Sequence, residues 1–226
     1  MAAMSLIETI GRTRAELERD PALRARLLEL QHWQVERLKR TYEDFQRQPR
    51  YRDAIEFFIG DLYGPHDFRQ RDRDLKKVLQ SWQRLLPQHG LDAIARALEL
   101  ELLTQALDLA LLEALGAAPL SESSYAEAYR AINRRKDREH QVELIVSSGR
   151  LLDTLVHHAW VRSMLRLART PARLAGVTTL HDFLERGCAA FAKMQGADTL
   201  LQAIERRERA IIARLFDGTE APFEVA

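Results

Sequence analysis

The chain has 226 residues, 46% of them hydrophobic, and its 34 basic and 33 acidic side chains nearly cancel to a formal charge of +1. That is enough apolar material for a sizeable core in one domain, and it leaves no overall field to recruit nucleic acid or an acidic membrane. A single cysteine, Cys188, excludes an intrachain disulfide and a multi-cysteine metal site, and suits a reducing compartment such as the cytoplasm.

The first twenty residues lack a basic stretch followed by an apolar run, so no signal peptide is expected. An amphipathic helix over 5–18 carries Leu6, Ile10 and Leu17 on one side. Asp20 and Pro21 then form a cap and first-turn pair for a second, long helix to about Gln46, with Leu23, Leu27, Leu30, Leu38, Tyr42 and Phe45 on one face.

Residues 51–79 read YRDAIEFFIGDLYGPHDFRQRDRDLKKVL. The spacing predicts a helix ending at Tyr63, broken by Gly64 and Pro65, and a second helix from about Phe68 capped by Asp67 with Gln70 in a capping box. On the first helix Tyr51, Ile55, Phe58, Ile59 and Leu62 share a face while Phe57 points the other way, which predicts burial on two sides. On the second, Arg71 and Asp72 fall inside the apolar stripe of Phe68, Leu75, Val78, Leu79, Trp82 and Leu86, so both charges are expected to be buried and paired with groups on other helices.

The run FFIGDLYG at 57–64, with Asp67 and the Arg71-Asp72 pair behind it, resembles the signature of the proteobacterial FFLEELY-motif proteins. Ile59, Gly60 and Asp61 depart from it, standing where the name-giving motif has Leu, Glu and Glu. The run HDFLERGCAAFAKMQGADTLLQAIERRERAIIARLF, from His181 onward, is similar in style. The resemblance implies an all-helical fold in a bacterial cytoplasm, and it implies no reaction.

Residues 91–115 are apolar almost all round except for a narrow stripe of Glu101, Thr104, Gln105 and Asp108, the pattern of a central helix surrounded by neighbours. Arg96, Glu99, Glu101, Asp108 and Glu113 exclude this segment as a membrane span. Residues 116–121 form a loop or a break between two subdomains. A short helix holding Tyr125, Tyr129 and Ile132 comes next. A long helix from about Arg135 to Arg169 is expected to kink or pack closely at Gly149 and to end at Pro171. Thr179 and Asp182 predict a capped helix through Met194, Gly196 separates it from a last helix to Phe216, and residues 218–226 are expected to be loose. The fold class is all-α, a single compact bundle of eight to ten helices with no strand pattern.

For chemistry, Asp153 and His157 stand one turn apart on the apolar face of the long helix, where a carboxylate can orient an imidazole. Asp72, Glu99, Asp153 and Glu208 are four carboxylates that helical spacing turns inward. A two-metal bundle site needs two Glu-x-x-His pairs, which the chain does not supply. Internal ion pairs with Arg71 and Arg207 fit these carboxylates better. Cys188, beside Phe183, Leu184 and Phe191, reads as a small buried hydrophobe. No phosphate loop, dinucleotide fingerprint or hydrolase motif occurs, so no catalytic residue, metal or cofactor is implied.

Two functions follow from this. The first is a non-enzymatic interaction or regulatory protein with a protein partner, and with neither nucleic acid nor membrane. The second is a ligand-binding protein or metal-dependent enzyme whose pocket is lined by Tyr63, His66, Arg71, Asp72, Asp153 and His157.

Overall fold

The computed structural model describes residues 2–62, 69–82 and 88–225. The break at Gly64 and Pro65 and the cap at Asp67, like Tyr63 and His66, lie outside the described residues. Eleven α-helices are found among those described, more than the eight to ten expected: α1 (Ala2–Leu17), α2 (Pro21–Thr41), α3 (Glu43–Gln46), α4 (Arg52–Glu56), α5 (Arg69–Trp82), α6 (Gln88–Leu115), α7 (Glu122–Ala131), α8 (Arg135–His157), α9 (Ala159–Leu174), α10 (Thr178–Met194) and α11 (Asp198–Asp217). No described residue is in a strand, and none of the described helices is long and apolar enough to cross a membrane.

The extra helices come from breaks inside segments expected to be continuous. Asp20 caps α2 as expected, accepting from the Leu23 amide at 2.9 Å, with Pro21 in the first turn. That helix stops at Thr41 rather than Gln46, because Tyr42 leaves helical geometry at φ −116°, ψ 21°, and α3 restarts beyond it. The single helix expected over 135–169 is two, since His158 turns extended at ψ 118°. Pro171 does not end the second of them. It lies inside α9, which runs on to Leu174 before Gly176 turns at φ +64°.

α4 widens into a π-helical segment, Phe57–Leu62, which gives this short stretch the burial on two sides that its pattern predicts. Ile55 and Ile59 enter the main core. Phe57 goes the other way, onto α10, where its ring lies against Phe183 and against the bare Cα of Gly187. Gly149 serves close packing as well, since a Cβ there would meet Leu201 Cδ2 of α11 at 2.5 Å.

Two clusters of buried apolar residues form, and α6 runs through both. Near its start Leu98 joins Ile7 and Ile10 of α1 and Leu79 of α5. Its last turns, with Leu111, Leu112 and Leu115, join the larger cluster made with residues of α2, α7, α8, α10 and α11. The loop after α6 is held by Arg26 of α2, which donates to the carbonyls of Gly116 and Ala118. Ser121 and Ser124 then exchange hydrogen bonds in a capping box that opens α7.

The cap expected from Thr179 and Asp182 is absent. α10 begins at Thr178 without a side-chain cap of its own, and the Leu180 amide is taken by Asp74 of α5, a fully buried carboxylate 3.2 Å away. Beyond α11, Phe223 packs edge-on against Trp33 and Tyr125, with ring centroids 5.5 and 5.9 Å apart, because its ring finds an aromatic shelf there.

Candidate functional site

The polar stripe of α6 is where the charged side chains gather. At its first position Glu101 meets Arg14 of α1 and Arg71 of α5, the latter at 2.8 Å, and Arg14 also holds Asp72. Arg71 lies over the Phe183 ring, 5.2 Å from its centroid. Burial lowers the Arg71 pKa from its ordinary value, and Glu101 opposes that shift. Arg71 and Asp72 are thus paired with groups on other helices, as the sequence predicts. Asp153 and His157 stand near the C-terminal end of α8, 3.4 Å from each other, with His157 half exposed. α5 packs against α1 and α10, whereas α8 packs against α6, α9, α10 and α11.

Of the four carboxylates expected to turn inward, Glu99 does not. Half exposed, it meets the equally exposed His140, 3.2 Å away, because its place on α6 is off the packed face. Glu208 does turn inward, as does Arg207, whose two terminal nitrogens grip Asp44 at 2.8 and 2.9 Å. Those bonds hold the Asp44 pKa below its ordinary value. Cys188 is partly buried, and burial raises its thiol pKa, as suits a packing residue.

Further along α6 the stripe opens on an internal cavity of about 90 Å³ that the sequence did not announce. Its polar wall comes from α2 (Gln34, Arg37), α6 (Thr104, Asp108), α7 (Tyr125, Tyr129), α8 (Arg138, Gln141) and α11 (Glu208), with Tyr42, and apolar residues of α2, α4, the π-helical segment, α8 and α11, with Phe223, make up the rest. Arg37 and the Tyr42 hydroxyl both donate to Glu208 Oε1, at 2.6 and 2.9 Å. Burial alone would lower the Arg37 pKa, but Glu208 and the two tyrosines outweigh it and hold it above its ordinary value. Burial, reinforced by Glu208, raises Tyr42 well above a normal phenol, and burial raises Tyr129 too.

The other two charges are not closed against each other. Asp108 is 2% exposed and accepts from Gln34 Nε2 at 3.0 Å. Burial raises its pKa, with Arg138 and Gln34 pulling against that. Arg138 is 6% exposed and makes no ion pair among the described residues. Its Nη1 donates to Gln141 Oε1 at 3.1 Å and its guanidinium lies 4.8 Å from the Tyr129 centroid, while Nε and Nη2 have no hydrogen-bond partner. A guanidinium brought into a core with donors unused is a costly arrangement that an anion would relieve. Arg138 did carry a sequence signal, since it stands four and seven residues before Val142 and Ile145 on their own face.

No curated protein and no solved structure matches the chain. A family described as a domain of unknown function (DUF8198) matches residues 13–222, which includes every residue named in the cavity wall except Phe223. The chain belongs to that family.

Proposed function

We propose that this is a binding protein without catalytic chemistry, which takes a small anion, such as a short carboxylate or an inorganic oxyanion, into the cavity beside Arg138. The observation that carries the reading is the buried guanidinium with two nitrogens unpartnered on the wall of a largely apolar cavity. A void of about 90 Å³ has room for several waters or one ligand of a few heavy atoms. Three tyrosines with Gln34 and Gln141 supply further polar groups, and the Arg37 and Glu208 pair is already neutral. The test is calorimetry and thermal shift with formate, acetate, phosphate and sulfate against wild type and Arg138→Met. At least one anion should stabilise wild type and not the variant. Equal responses of the two proteins to every anion would refute the reading.

A second reading, an interaction protein with an acidic partner, is favoured by α9. Met164, Leu167 and Leu174 are 51%, 78% and 86% exposed along one flank of that helix. Arg166, Arg169 and Arg173 lie exposed along another flank, and Ala172 faces inward. Such a basic amphipathic face suits an acidic amphipathic segment. The likeness of residues 57–64 to the FFLEELY motif supports a bacterial cytoplasmic setting for either reading. The grip of Arg26 on the loop after α6 supports one domain across residues 116–121.

A further inference from the structure

Where α9 meets α10, His181 presents an unusual face. It is 5% exposed, and its Nε2 lies 2.8 Å from the carbonyl oxygen of Leu165. A carbonyl only accepts, so Nε2 carries a proton, and the atom left to ligate a cation is Nδ1. That Nδ1 is buried and has no hydrogen-bond partner, yet Asp182 Oδ1 stands 3.5 Å from it. Two electron-pair donors facing each other at that distance leave a place that a cation shared between them would fill. The Glu185 carboxylate, one turn along α10, completes a trio whose ligand atoms all lie within 4.8 Å of one another.

We propose that His181 Nδ1, Asp182 and Glu185 bind a divalent transition-metal ion of the zinc class. Ligand atoms about 2.1 Å from a tetrahedral metal are about 3.4 Å apart, and the nitrogen-to-oxygen separation matches that spacing before any ion enters. One imidazole and two carboxylates are a donor set for Zn²⁺ and its neighbours rather than for Mg²⁺ or Ca²⁺, which prefer oxygen alone. The Leu165 carbonyl supplies the outer contact that holds a ligating imidazole in one tautomer and orientation. Arg169 of α9 holds Glu185 Oε2 at 2.9 Å, which leaves the other carboxylate oxygen for the ion and fixes the side chain near it. Three protein ligands leave a fourth position for water. The ion would clip the first turns of α10, through His181 and Glu185, to Leu165 and Arg169 of α9.

The sequence hides this site because His181, Asp182 and Glu185 sit on adjoining faces in an i, i+1, i+4 order rather than in a familiar ligand spacing. The test uses tag-free protein stripped with a chelator and titrated with ZnCl₂ by calorimetry. One Zn²⁺ should bind per chain, and His181→Ala should abolish binding. Because His181→Ala removes a buried ring and can impair folding, the decisive variants are Asp182→Asn and Glu185→Gln, at side chains that are 57% and 34% exposed. Each should weaken binding at least about tenfold, while Cys188→Ser should leave it unchanged. No binding by wild type, or undiminished binding by both carboxylate variants, would overturn the proposal.

Discussion

Gly187→Ala sets two opposing effects against each other. In the middle of α10 an alanine gains about 1 kcal/mol of helix propensity over glycine. Its Cβ would lie 2.7 Å from Phe57 Cζ and 3.1 and 3.2 Å from the two Cε atoms. Phe57 is 6% exposed, and Phe183 lies against its ring at 5.2 Å, so the ring has no free space to retreat into. Overpacking of this kind costs about 1–3 kcal/mol, and the net expectation is a loss of about 1 kcal/mol, a fall in Tm of about 2–4 °C for a chain of this size. Urea denaturation followed by far-ultraviolet circular dichroism measures it. The sharper reading comes from a Phe57→Leu background, where the ring edge is gone and the same substitution should stabilise by up to about 1 kcal/mol. If Gly187→Ala stabilises the wild-type chain, or has the same sign in both backgrounds, the reasoning about this contact is wrong.

Removing Glu101 by Glu101→Ala takes from Arg14 and Arg71 the carboxylate that they share. Because these side chains keep 12–21% of their exposure, the cost should be about 2–3 kcal/mol, below that of a fully dry pair; a loss under about 1 kcal/mol in denaturant titration counts against an anchoring role. Asp44 gives a pH signature. Its pKa is depressed by Arg207, so its contribution is complete above the unfolded carboxylate value near pH 4 and fades as pH falls through the lower folded value. Asp44→Asn should therefore flatten the dependence of stability on pH in that acid window and leave the slope near neutrality unchanged. An unaltered acid limb would show that the pair contributes nothing.

The helical class was legible because every long segment repeats its apolar residues at helical spacing, and the Arg71 and Asp72 pairing was legible because two charges stood inside an apolar stripe. The breaks at Tyr42 and His158 were not legible, since neither position carries glycine or proline and both depart from helical geometry within a continuing amphipathic pattern. The start of α10 was misread for a related reason. A local capping pattern at Thr179 and Asp182 competes with a carboxylate from α5, and only tertiary packing brings Asp74 to the Leu180 amide. The cavity escaped notice because its walls come from six helices and the π-helical segment, spread over most of the chain. Arg138 stands on the face of Val142 and Ile145, which marks it as inward, but nothing local says whether a carboxylate from another helix reaches it.

α6 would, on apolar residues alone, fit its surroundings in several rotations, since leucine side chains surround it and one greasy face substitutes for another at little cost. Its polar positions remove that freedom. Glu101 requires Arg14 and Arg71, Thr104 accepts from Gln141 at 2.7 Å, and Asp108 accepts from Gln34. A turn of α6 by one residue, about 100°, would carry all three into hydrocarbon together and strand their partners on four other helices. The stripe therefore works like the teeth of a key, admitting one orientation and one register of the longest described helix, and the walls of the cavity inherit their placement from that single choice.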